Sequence, residues 1–406
     1  MAAVRAASPI SLNGGEPVAR FAKNDIISLV GASPRYDLGE SYGPNLSPAA
    51  LLDAVAWKSL RTVPLAYGTA EGEVRLRQAI ADRQGAGADD VVVTVGGAQA
   101  LFLASFILCG PGDEAVTTAP VFPHTRTALD AVGARVKVLP LAFDNGYQPD
   151  LTTFRALLSP ATKLVSLASP QNPSGVAVAE RLLGEMVAAM AEVCPDAHLL
   201  VDETYREATY GDRRPAGTAL RLGAKIITIA SLSKCHGAPG LRIGWAITRD
   251  AAMREQLVLG KFNTAISCSP IDEALALHVL EQRDRILGDR RPRLAEGLRV
   301  TADWVAMNGG HVEWVRPDAG AICCVRLKPA VFDDAAVVRF YQAAARAGVR
   351  VANGAWFGDE ARVFRLGFGF LNAVDLRAAL GILSIALRET APYVAGVIQA
   401  SQRGLS

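Results

Sequence analysis

The stretch SLSKCHGAPGLRIGW, residues 231–245, sets one lysine, Lys234, among serines, small residues and glycines, with Arg242 eight residues further on. The apolar run AKIITIA, 224–230, leads into it. Together KIITIASLSK, 225–234, reads as a β-branched buried strand that ends in polar residues. Burying an ammonium group is costly, so a lysine at such a strand end either reaches water or is held there for a purpose. A desolvated lysine has a lowered pKa and attacks carbonyl carbons as the free amine, which is what Schiff-base chemistry requires. Ser231, Ser233 and Arg242 add hydroxyls and a guanidinium, a set suited to a phosphate.

The same form recurs on either side. VVVTV (91–95) is a strand that breaks at Gly96-Gly97 and passes into AQALFLASFIL, a buried helix. The whole uncharged run 91–112 is long enough for a membrane helix, but its β-branched start and paired glycines exclude that reading. EAVTTAP (114–120), ARVKVLPL (134–141), TKLVSLASP (162–170) and HLLVDETY (198–205) read as further strands. Helical segments lie between them, such as 179–193, and an amphipathic helix spans 71–83. Strands alternating with helices predict an α/β fold with a mainly parallel, doubly wound sheet, whose ligands bind at the carboxyl ends of the strands. Those ends hold Asn172, Asp202, Tyr205, Ser231 and Lys234. From about residue 285 the pattern changes to a long charged helix (281–308), the strands HVEWVRP, GAICCVRL, VRVANG and RVFRLGFG, and a helix over 335–348. The expected organisation is an N-terminal arm and substrate-side loop (1–45), a large domain (46–285) and a smaller α+β domain (286–406).

Composition narrows the classes of function. Half of the 406 residues are apolar, enough for a large core, and 42 basic against 40 acidic residues leave no footprint for nucleic acid or membrane. The six cysteines form no CxxC and fit neither a zinc site nor a disulfide scaffold, so no metal is expected and a reducing cytoplasm is the expected home. The first twenty residues contain no apolar core of signal-peptide length.

Further groups bear on Lys234. The turn Gly96-Gly97-Ala98-Gln99 carries a strand into a helix N-terminus, where free N–H groups and the helix dipole favour an anion. It lacks GxGxxG, which argues against a nicotinamide-dependent oxidoreductase. Asp202, at a strand end, can hold a ring nitrogen protonated. Tyr205 and Asn172 can hydrogen-bond a phenolic oxygen, although the surrounding NPSG is equally good turn chemistry. The set describes a pocket for an aromatic aldehyde bearing a phosphate.

On these residues the sequence resembles the class I/II aminotransferases, which are fold type I pyridoxal-phosphate enzymes of the aspartate aminotransferase kind. SLSKCHGAPGLRIG fits the family's lysine motif, and YGTAEGEVRLR (67–77), VGGAQA (95–100), NPSG (172–175), DETY (202–205) and RLGFG (365–369) follow in order. The resemblance implies that Lys234 bonds pyridoxal 5′-phosphate as a Schiff base and then moves the Cα proton. It implies that Asp202 pairs with the pyridinium nitrogen, and that Asn172 and Tyr205 bond the 3′-oxygen. Gly97, Ala98, Gln99, Ser231, Ser233 and Arg242 would hold the phosphate. Phe122 would stack on the ring, where Trp or Tyr is more usual. Arg365 would clamp the substrate α-carboxylate, beside Asn172. Tyr67 would reach the phosphate of a neighbouring subunit, which implies a homodimer. His236 stands where an aromatic or aliphatic residue is common, either as packing or as a second proton carrier. In the loop 33–48, Glu40, Ser41 and Tyr42 are polar where many relatives are glycine-rich. Glu40 is either a solvated loop residue or a contact for an amino-bearing substrate. The implied function is transfer of an amino group from an L-amino acid to a 2-oxo acid. The alternative is a lyase, cyclase or oxidase on the same core. A non-catalytic regulator of this fold would need a basic DNA-binding domain ahead of it, for which the loop-like residues 1–45 leave no room.

Overall fold

The computed structural model describes residues 21–31 and 33–391. The N-terminal twenty residues, read above for a leader, and the last fifteen of the expected small domain lie outside the described residues.

A seven-stranded sheet forms the centre. In chain order the strands are β1 (Tyr36–Asp37), β2 (Val91–Val95), β3 (Glu114–Ala119), β4 (Arg135–Pro140), β5 (Thr162–Ala168), β6 (His198–Asp202), β7 (Ile226–Ser231) and β8 (Ile243–Thr248). All but β1 belong to the central sheet, in the order β2-β8-β7-β6-β5-β3-β4. Pairings are parallel from β7 through β4, and β8 runs antiparallel to both of its neighbours. Strand alternation sends side chains to two faces. On one face Val91, Val93, Ile243, Trp245 and Ile247 pack with Leu76, Ile80 and Val279. On the other, Val92, Ala246, Leu200 and Ile229 pack under the helix Gly96–Leu108 through Leu101 and Leu103. Truncating one of these buried leucines to alanine would cost about 2–5 kcal/mol.

The second sheet comprises β9 (Val312–Val315), β10 (Ile322–Leu327), β12 (Ala352–Asn353) and β13 (Val363–Gly367), in the antiparallel order β12-β13-β10-β9. Helices Arg283–Met307, Asp334–Arg346 and Ala373–Thr390 bury their apolar residues with it, among them Leu298, Trp304, Phe340 and Leu383. VRVANG is divided: Val349–Arg350 (β11) pairs in parallel with β1, while β12 pairs with β13. The N-terminal loop therefore docks on the smaller sheet, where Gly367 N–H also donates to Leu38 O at 2.7 Å. This brings residues 36–42 to the carboxyl ends of the large sheet's strands.

Candidate active site

A cavity of about 1000 Å³ opens at those strand ends. Its wall includes Glu40, Ala98, Phe122, Asn172, Lys234, Arg242 and Arg365. Seven sequence-derived candidates, drawn from separate elements, thus meet in one space.

Lys234 follows β7. Its Nζ donates to Ser41 Oγ at 2.8 Å and stands 5.1 Å from the centre of the Tyr42 ring. Burial, aided by the positive charges of Arg365 and Arg242, lowers its pKa to about 8, against the opposing pull of Glu40 and Asp202. The amine is therefore far easier to deprotonate than an ordinary lysine. Asp202 ends β6 and accepts from Thr204 N–H at 2.9 Å. Burial raises its pKa, and the charges of Asp202 and Lys234 act on each other. Tyr205 is buried, and its hydroxyl has no hydrogen-bond partner among the described residues, although Ser41 lies close enough to ease its ionisation. Burial takes this phenol up to about 12.

Arg365 projects from β13 and is 2% exposed. It donates to Asn172 Oδ1 at 2.8 Å and to Gly39 O at 2.6 Å, and its guanidinium lies 4.8 Å from the Phe357 ring centre. Its Nε is buried and has no hydrogen-bond partner among the described residues. Gly39 is itself fixed from behind: its N–H donates to Asp37 Oδ1 at 2.9 Å, and Arg350 Nε donates to the same oxygen at 3.1 Å. Arg350 also holds Ser28 O at 2.7 Å, so one arginine ties the turn Asp25–Leu29 to the loop that orients Arg365.

At the other end of the cavity the helix Gly96–Leu108 begins with no side-chain cap. Its first-turn N–H groups are free to meet an anion. Gly96 has φ +72, and a Cβ there would collide with Arg242, while a Cβ on Gly244 would collide with Gly97 N. The glycines allow the helix start and the arginine to approach this closely. Ser231 ends β7 and accepts from Ser233 N–H at 3.3 Å; neither serine lines the cavity. Gln99 turns its side chain away: Oε1 accepts from Val95 N–H at 2.8 Å and Nε2 donates to Thr264 at 3.1 Å. It can serve an anion only through its backbone. Phe122 stacks on His124, ring centres 4.5 Å apart at 7°. Tyr67 is 80% exposed and outside the cavity.

His236 does not join this group. It is buried 3.7 Å from Glu207, with neither ring nitrogen hydrogen-bonded among the described residues, and lines a separate small pocket with Gln84 and Trp245. Burial lowers its pKa to about 4. The sequence reading singled out neither Ser41 and Tyr42 as partners of Lys234 nor the wall built by residues 21–31. Their polar or apolar character was visible, but a position facing Lys234 leaves no mark at a separation of 193 residues.

The model of the class I and II aminotransferases matches residues 50–382. Capreomycidine synthase of Streptomyces vinaceus is 31% identical over 86% of this chain and 85% of its own. Arginine–pyruvate transaminase of Pseudomonas aeruginosa is 30% identical over 84% of this chain and 87% of its own. Among solved structures, a PLP-dependent aminotransferase from Streptococcus suis superposes with TM-score 0.81 at 25% identity, covering 90% of this chain and 96% of that one. The PLP-dependent cyclase OrfR gives 0.79 at 26% identity, covering 92% and 100%. The chain belongs to the class I and II aminotransferase family. It is an enzyme of fold type I, and its cofactor is pyridoxal phosphate.

The residues present fit that cofactor. An easily deprotonated amine, an uncapped helix start crowded by Arg242, and a buried phenol lacking a partner are what an aldehyde, a phosphate and a phenolic oxygen need.

Proposed function

We propose that this enzyme moves the amino group of an L-amino acid to a 2-oxo acid. The observation that carries the reading is the placement of a desolvated Lys234 amine and a buried Arg365 on one cavity wall. Bound there, pyridoxal phosphate supplies an electron-withdrawing ring conjugated to the substrate nitrogen. The chain's residues divide the remaining work. Lys234 Nζ is the amine that receives the cofactor and the base that takes and returns the Cα proton. Arg365 binds the α-carboxylate, with Asn172 holding the guanidinium in place. Asp202 would hold the ring nitrogen protonated, Asn172 and Tyr205 would meet the 3′-oxygen, and Phe122 would pack on the ring face. Arg242 and the N–H groups of Gly97, Ala98 and Gln99 would hold the phosphate, with Ser231 and Ser233, which do not line the cavity, completing the set.

A homodimer belongs to this reading. Tyr67 and Ile266, both exposed, adjoin Gly68 and Ser267, whose N–H and Oγ are joined by a hydrogen bond of 3.2 Å, and Leu65 nearby in sequence is exposed as well. An apolar patch of this kind suits a second copy, to whose phosphate Tyr67 would reach. A cytoplasmic home accords with six buried free thiols. Among the described residues no helix is long and apolar enough to cross a membrane.

A lyase, cyclase or oxidase is the second reading, favoured by the likeness to the PLP-dependent cyclase OrfR. Arginine and pyruvate, named by the Pseudomonas relative, separate the two. Transfer predicts alanine formed in step with arginine loss, and no turnover beyond one equivalent per site without pyruvate. Continuous arginine consumption without an acceptor would contradict transfer and favour the second reading.

A further inference from the structure

We infer that the amino-acid substrate carries a cationic side chain, a guanidinium or an ammonium, received by Glu40. The inference rests on the cavity being the amino-acid site proposed above.

Glu40 is the one acidic side chain among the described residues that line the cavity. It is half-buried, burial raises its pKa, and among the described residues charges act on it through space without a hydrogen bond. Its neighbour Asp37, by contrast, is saturated by Arg350 and Gly39 N–H. The positive charges that act on Glu40 are Lys234, Arg365 and Arg350. Each has another task. Arg350 is paired with Asp37, Arg365 meets the α-carboxylate, and the Lys234 amine would be taken up by the cofactor's aldehyde. Once the α-carboxylate is seated, Glu40 faces the cavity uncompensated.

A partly buried carboxylate without a counter-charge is unfavourable, and a cation placed beside it removes that cost. A carboxylate side chain would meet repulsion, and an apolar one would leave Glu40 as it was. The position also fits. Glu40 adjoins Gly39, whose carbonyl takes Arg365, so it stands beside the α-carboxylate clamp rather than at the phosphate end. The Tyr42 and Phe370 rings, 5.7 Å apart and both on the cavity wall, offer faces over which a guanidinium can lie. Lys23, the remaining lining lysine, is exposed.

The test uses the cofactor-loaded enzyme, with loss of its visible band on mixing with one amino acid at a time as the readout. Arginine and citrulline have nearly the same length and differ in charge. A charged contact predicts that arginine reacts about 10–100-fold more efficiently than citrulline. Glu40→Gln should bring the ratio close to one, and Glu40→Asp should restore part of it. A general loss of structure lowers both substrates together and cannot by itself bring the ratio to one. Equal rates for arginine and citrulline in the unaltered enzyme, or a ratio indifferent to Glu40→Gln, would overturn the inference while the amino-acid reading stands. If no amino acid of any charge discharges the band, the amino-acid reading has itself failed, and this inference with it.

Discussion

Asp202 and Glu203 are consecutive carboxylates at the end of β6, and they live in opposite surroundings. Glu203 is closed in by the fold. It accepts from Thr218 Oγ1 at 3.0 Å and Ala219 N–H at 2.6 Å, and pairs with Arg206 Nε at 2.9 Å. Arg206 in turn donates to Gln84 and to Ala216 O. Asp202 accepts one backbone hydrogen bond and has valences left over beside Lys234. Strand alternation separates the pair: Asp202, although not on the cavity wall itself, is left within reach of the Lys234 charge, and Glu203 turns into packing. Lys234 and His236, two residues apart, repeat the contrast: one amine at the cavity, one imidazole sealed against Glu207. Glu203, whose oxygens are satisfied within the chain, serves the fold, whereas Asp202 keeps free valences beside Lys234; His236 differs from both, being buried away from the cavity with neither ring nitrogen bonded among the described residues.

Substitutions can break this contrast. The largest effect is expected at Asp202. Asp202→Asn should lower turnover by about 10²–10³-fold through loss of a fixed charge beside the reaction. It should leave the apoprotein at least as stable, because burial already disfavours the ionised carboxyl. Glu203→Gln should do the reverse. Removing one member of a buried pair costs about 3–5 kcal/mol of stability, while turnover per folded, cofactor-loaded molecule stays in place. Urea titration and active-site-normalised rates check both, and matching profiles for the two variants would erase the distinction.

The smallest effect concerns His236, and it sharpens the second contrast. Its folded pKa of about 4 lies below the ordinary value of 6.5. Between those values the unfolded chain binds a proton that the folded chain refuses, so stability falls as pH drops from 6.5 toward 4. Above 6.5 the imidazole is neutral in both states and the effect vanishes. His236→Gln should flatten this part of the stability profile relative to the parent. Changed activity at neutral pH in that variant would instead assign His236 to the proton path.

Much of the parallel sheet is legible in the sequence because β-branched runs ending in polar residues recur at regular intervals. Lys234 is legible because an ammonium at the end of such a run needs a reason. Strand β8 is not legible. Its start, LRIGW, is read only as the end of the stretch that carries Lys234 and Arg242, and its antiparallel course depends on pairing with β2 and β7. The two-residue pairing of Tyr36–Asp37 with Val349–Arg350 has no periodicity to read, yet it brings Glu40, Ser41 and Tyr42 to the cavity. Gln99 illustrates a different limit. Its place in VGGAQA suggests a phosphate ligand, whereas its side chain caps Val95 of its own turn.

The central claim is that Lys234 is the amine that takes the cofactor. The most direct measurement is borohydride reduction of the cofactor-loaded protein, followed by peptide mapping. Another buried lysine makes the test discriminating: Lys261 is fully buried, and its amine has no partner among the described residues. The account predicts one modified peptide containing residues 231–245, with the added mass on Lys234, and no fixed cofactor in Lys234→Ala. Label on Lys261 or on scattered surface lysines, or label that persists in Lys234→Ala, would contradict it.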